Sequence, residues 1–226
     1  CRLCRDYASG GLSPHLETLK ALKSAVSIPI YVMIRPHAEH FCYNADDFLE
    51  MKLTMDSFKE HGADGFVFGI LNQSSGPEHH PLVDEARNKA LVELADGRPC
   101  TFHRAFDLIP VSQWDRALDA ILECGFQSIL SSGGPPGNSA VECMDHLRHL
   151  VHTQLDNRKK SSRHGSRRLE IIVGGGVRST NAAEILQKTC ATAFHSAAFS
   201  GPCETVDAGE VKALKVALNH THTNST

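Results

Sequence analysis

The sequence predicts an α/β fold, a parallel sheet closed into a TIM (β/α)8-type barrel that lacks its first βα unit in this chain. Three observations predict it. Short runs rich in β-branched and aromatic residues alternate with longer amphipathic runs throughout the 226 residues. The alternation is regular, without the central change of pattern expected of a doubly wound sheet. Polar side chains also gather directly after several of the short runs, where a parallel barrel keeps its sites.

Taken in order, Arg2-Leu3-Cys4 reads as the end of a strand. Ser27 to Ile34 is a strand stopped by Arg35-Pro36. Asp46 to His61 is helical by period, with Phe48, Met51, Met55 and Phe58 three or four residues apart. Gly62-Ala-Asp-Gly65 breaks that helix, and Gly65 to Gly69 is the next strand. Pro81 to Leu94 reads as a helix with proline at its start. Thr101 to His103 is a strand, and Val111 to Cys124 is a helix stopped by Gly125. Gln127 to Leu130 is a strand followed by the loop Ser131 to Gly137, and Asn138 is placed to cap a helix reaching about Leu155. Leu169 to Val173 is a strand that leads into Gly174-Gly-Gly176. Ser179, Thr180 or Asn181 caps a helix to about Thr189. Ala191 to His195 is the last strand, and a final helix spans about Thr205 to Leu218.

This pattern predicts one domain over residues 1–226, with a basic surface insertion at 157–168 and a flexible tail at 219–226. The basic segment has no interleaved aromatic residues, so a solvated insertion fits it better than a nucleic-acid site. A formal net charge of −3 favours neither nucleic acid nor an anionic membrane. No apolar run approaches the roughly 20 residues of a membrane span.

The eight cysteines, at positions 1, 4, 42, 100, 124, 143, 190 and 203, are too scattered for a disulfide framework and predict a reduced, intracellular protein. Cys100, Cys124, Cys143 and Cys190 fall in apolar or helical contexts, where a thiol acts as a small hydrophobe. Cys1 and Cys4 form a lone C-x-x-C, a weak zinc signal without a second pair. In a cytosolic protein the N-x-[ST] matches at Asn72, Asn219 and Asn224 carry no meaning.

The chemistry gathers after the strands. Thr101-Phe-His-Arg-Ala-Phe-Asp107 brings an imidazole, a permanent cation and a carboxylate into five residues, a costly set to bury without a purpose. The earlier strand delivers Arg35, then His37, Glu39 and His40. Period-two alternation puts Tyr31, Met33 and Arg35 on one face, Thr101 and His103 on one face, and Ala193 and His195 on one face. On a barrel, Arg35, His103 and His195 would converge near its mouth. Gly174, Gly175 and Gly176 suit close backbone approach to an anion, and a tight βα turn explains them as well.

These segments, together with Gly10-Gly-Leu-Ser-Pro14, Val32-Met-Ile-Arg-Pro36, Gly62-Ala-Asp-Gly-Phe-Val-Phe-Gly69 and Phe194-His-Ser196, resemble the CutC family of copper homeostasis proteins from about Cys4 to Ala197. The resemblance implies a cytoplasmic, often oligomeric TIM barrel linked to copper tolerance and Cu(I) binding, and aligns Cys4 with a family cysteine. The chain departs from the family pattern at Arg2, where a Glu is usual, and at His37-Ala-Glu-His40, where Arg-Gly-Gly-Asp is usual.

Two functional expectations follow. The first is cytosolic handling of copper, with Cys4 as the thiolate metal ligand, Cu(I) as the metal and no organic cofactor. The second is an enzyme acting on a small phosphate or carboxylate at the barrel mouth. There His103, Arg104, Asp107 and His195 are the catalytic candidates, with Asp107 orienting His103. Arg35, Arg104, Gly174, Gly175 and Gly176 would hold the anion. The expected partners are therefore the copper ion, a small anion and further copies of the chain, and neither nucleic acid nor membrane.

Overall fold

The computed structural model describes residues 1–73, 80–160, 168–199 and 205–220. The chain divides into two compact units, Cys1–Gln127 and Ser128–Thr226.

In the first unit the strands β1 (Arg2–Leu3), β2 (Tyr31–Met33), β3 (Gly65–Phe68) and β6 (Cys100–Phe102) pair side by side, all parallel. Helices α1 (Leu16–Ala25), α2 (Ala45–Glu60), α3 (Glu85–Leu94) and α4 (Trp114–Cys124) alternate with them. α2 begins on a capping box. The Asn44 side chain accepts from Asp46 N (2.8 Å) and Asp47 N (2.9 Å), and Asp47 Oδ2 accepts from Asn44 N (3.0 Å). Met51, Met55 and Phe58 form its buried stripe, as their spacing predicts. Every residue of β3 is buried, and Phe66, Phe68, Phe102 and Phe126 fill the centre of the unit.

Three segments differ from the sequence reading. Pro81 does not open a helix. Pro81–Val83 is a strand, β5, paired antiparallel with β4 (Leu71–Gln73), and α3 starts only after Asp84, whose Oδ1 accepts from Arg87 N at 3.0 Å. An edge ribbon tolerates the missing proline N–H, and Asp84 supplies the stronger helix start. His103 is not a strand residue either: it caps a 3₁₀ turn over Arg104–Leu108. The helix predicted from Val111 opens with a 3₁₀ turn, Val111–Gln113, before α4 proper. Gly125 ends α4 with φ of 99°, a conformation open to glycine.

The second unit holds β7 (Ser128–Ser131), β8 (Glu170–Val173) and β9 (Ala193–Phe194), again parallel, with helices α5 (Met144–Lys160), α6 (Ala182–Thr189) and α7 (Ala208–His220). α5 starts later than an Asn138 cap would give, because Ser139 and Glu142 close their own turn through two 2.7 Å bonds to Glu142 Oε2. It also runs on to Lys160, so the first residues of the basic segment are helical, while 161–167 lie outside the described residues. α7 starts three residues after Thr205, where Asp207 Oδ1 accepts from Gly209 N at 2.6 Å. The predicted tail beyond His220 and Cys203 also lie outside the described residues.

Cys100, Cys124 and Cys143 are buried, as small hydrophobes should be, whereas Cys190 is exposed at the left-handed end of α6. None of the described cysteines is in a disulfide. Among the described residues no helix is long and apolar enough to cross a membrane.

Candidate functional site

Strand register builds the site of the first unit in layers. Paired residues of parallel strands point to the same side, and the side recurs every second residue. Arg2, Tyr31 and Gly65 form one layer, and Met33, Val67 and Thr101 the next, in which alternation also places Cys4. The ladder continues one residue past the strands, through Ile34 N to Val67 O (2.9 Å) and His103 N to Phe68 O (3.0 Å). Alternation then puts Arg35, Gly69 and His103 in a third layer on the same face. Gly69 makes that layer possible: a Cβ there would lie 2.9 Å from His103 Nδ1 and 3.0 Å from Phe102 Cζ.

His103 is 3% exposed. Its Nδ1 accepts from Ala105 N at 3.3 Å, which leaves the ring proton on Nε2. Burial holds the imidazole neutral, and the positive charges of Arg35 and Arg2 reinforce the effect, so its pKa falls to about 3. Phe41 lies edge-to-face against the ring at 4.8 Å. Asp107 does not orient His103; a backbone N–H does. The Asp107 carboxylate, buried itself, accepts from Arg104 Nε at 2.7 Å. Arg104 and Asp107 therefore form a local pair across one turn.

Arg35 is 5% exposed and holds three carbonyls, through Nη1 to Ser9 O (3.0 Å) and Gly11 O (3.1 Å) and through Nη2 to Ala38 O (2.9 Å). Its guanidinium sits 4.6 Å over the Phe41 ring. Tyr43 is buried nearby, and burial raises its phenol pKa far above the ordinary value. Burial also pushes Arg2 down to about 10, with the Cys4 sulfur within Coulombic reach. His37 faces Asp47 Oδ2 at 3.5 Å and stacks edge-on with His40 and Tyr43. Cys4 is half-buried beside Gly11, where a Cβ would be 3.2 Å from Cys4 Sγ and 3.4 Å from Met33 Cε. Among the described residues, no three His, Cys, Asp or Glu side chains are grouped to hold a metal ion.

In the second unit the glycines answer to packing. A Cβ on Gly174 would lie 2.6 Å from Leu130 Cδ1, and one on Gly175 would lie 2.7 Å from Ser132 Cβ. Gly174 N donates to Ser131 O (2.9 Å), which extends the sheet ladder. Gly175 and Gly176 turn with φ of 93° and 79°. His195 continues the ladder from the other side, its N donating to Val173 O at 2.8 Å.

Sequence reasoning named Arg35 and His103, which the structure brings together. It did not assign a role to Arg2, Phe41 or Tyr43. Arg2 carried a signal, since it shares the alternation face of Cys4; Phe41 and Tyr43 reach the site through loop closure, which no periodicity reports.

The CutC family profile matches residues 1–200. A "Copper homeostasis protein cutC homolog" of Drosophila melanogaster is 36% identical over 197 residues, covering 87% of this chain and 68% of that protein. A "family protein CutC" of Treponema denticola is 34% identical over 189 residues, covering 84% and 68%. The chain thus spans about two thirds of the length of these relatives. The crystal structure of a CutC protein from Streptococcus agalactiae superposes with a TM-score of 0.73 at 30% identity, covering 86% of each chain. The fold is the TIM-type α/β fold that the strand and helix alternation predicts. Motifs, profile and structural likeness agree, and the chain belongs to the CutC family.

Proposed function

We propose that this chain serves copper homeostasis as a cytosolic Cu(I)-binding protein, with the Cys4 thiolate as its metal ligand. Family membership carries the reading, since relatives across animals and bacteria bear copper homeostasis or CutC names. The local chemistry supports it. Cys4 Sγ and the Met33 terminal methyl both border Gly11, so the thiol and the end of the Met33 side chain flank the same glycine. Soft sulfur donors select Cu(I) over harder ions. The Arg2 guanidinium lies within Coulombic reach of Cys4. A cytosolic setting fits cysteines that form no disulfide among the described residues.

Titration of the metal-free chain with Cu(I) against a chromophoric chelator tests the reading. One tightly held Cu(I) is expected, with affinity lost in Cys4→Ser and weakened in Met33→Leu. Unchanged stoichiometry and affinity in Cys4→Ser would refute the assignment.

A further inference from the structure

Five buried side-chain polar atoms of the first unit have no hydrogen-bond partner among the described residues: His37 Nδ1, on a ring that meets Tyr43 edge-on at 5.1 Å, and four donors, Arg35 Nε, Arg2 Nη1, His103 Nε2 and the Tyr43 hydroxyl. Buried polar groups are almost always paired, so five orphans in one unit call for a cause. Of the four donor residues, three (Arg35, His103 and Tyr43) are more than nine-tenths buried. Arg35, His103 and Tyr43 are neighbours, and Arg2 lies two layers away on the same face. Arg35 and Arg2 both act electrostatically on His103, and Arg35 acts on Tyr43. Phe41 bridges Arg35, at 4.6 Å, and His103, at 4.8 Å.

The charges of this cluster are one-sided. Arg35 otherwise donates to the neutral carbonyls of Ser9, Gly11 and Ala38, and its guanidinium lies against the neutral Tyr43 phenol. Neither Arg2 nor Arg35 forms an ion pair with a carboxylate among the described residues. Asp47, the carboxylate that acts on Tyr43, already accepts from Asn44 N at 3.0 Å and faces His37 at 3.5 Å. Two guanidiniums, one imidazole N–H and one phenol O–H therefore have no carboxylate partner among the described residues.

We propose that Arg2, Arg35, His103 and Tyr43 form a binding site for one small oxyanion, a carboxylate or phosphate group, covered by Phe41. Four donors match the four lone-pair positions of a carboxylate and suit three oxygens of a phosphate equally. The Nε2–H tautomer can donate to such a ligand while Nδ1 stays bonded to Ala105 N. The site goes beyond the copper reading and uses other atoms.

Isothermal titration calorimetry of the metal-free chain with inorganic phosphate, and separately with acetate, tests it. Saturable binding of one anion is expected, and which anion binds tells phosphate from carboxylate. Arg2→Met, which removes a side chain with no hydrogen bond to lose, is expected to weaken binding roughly tenfold or more. Tyr43→Phe, which removes only the hydroxyl, is expected to weaken it several-fold, and the His103 Nε2 proton resonance is expected to shift on saturation. Absence of saturable binding by either anion at millimolar concentration would overturn the site, as would affinities that both folded variants leave unchanged. Copper is absent throughout, so failure here and failure of the Cu(I) titration are separate results.

Discussion

His103 should make this protein acid-sensitive through one identifiable group. Its folded-state pKa is depressed from 6.5 to about 3, first by burial and then by the charges of Arg35 and Arg2. The unfolded chain therefore binds a proton between about pH 6.5 and pH 3 that the folded chain does not, so stability is full above pH 6.5 and is lost as pH falls through that window. Between pH 7.5 and pH 5 this one residue accounts for about 2 kcal/mol, and by pH 3 for roughly 4 kcal/mol. The comparison is His103→Asn, which keeps an acceptor for Ala105 N and does not titrate. Urea unfolding at the two pH values, followed by circular dichroism, gives the difference. The native chain should lose about 2 kcal/mol more than the variant on acidification, whatever constant cost the smaller side chain adds. Equal losses would refute the neutral, buried imidazole and the site built around it.

Two further predictions test the packing that positions the site. Gly69→Ala places a Cβ 2.9 Å from His103 Nδ1 and should cost about 1–3 kcal/mol, read as a thermal midpoint lowered by several degrees; an unchanged or raised midpoint would show that the ring has room to move. Asn88, buried and bonded to Ile70 N (3.0 Å), Ile70 O (2.8 Å) and Asp84 O (2.8 Å), closes β4 onto α3, so Asn88→Leu should destabilise by about 2–4 kcal/mol in urea unfolding, and a loss under 1 kcal/mol would sink that account.

Much of this protein was determined by local order in the chain. The apolar runs at 27–34, 65–69 and 169–173 and the period of Met51, Met55 and Phe58 specify strands and a helix by themselves, because side-chain alternation and the helical repeat are local properties. The same alternation put Arg35 and His103 on inward faces, and the motifs identified the family. Tertiary structure decided the rest. Pro81–Val83 became a strand because Leu71–Gln73 supplied a partner, which no local propensity announces. His103 became a neutral Nε2–H donor because burial and two guanidiniums from other strands act on it, while Asp107, close in sequence, turned to Arg104. Phe41 and Tyr43 reached the site only when their loop folded over Arg35. Periodicity records which face a residue occupies, and desolvation and charge depend on what the folded chain brings to that face.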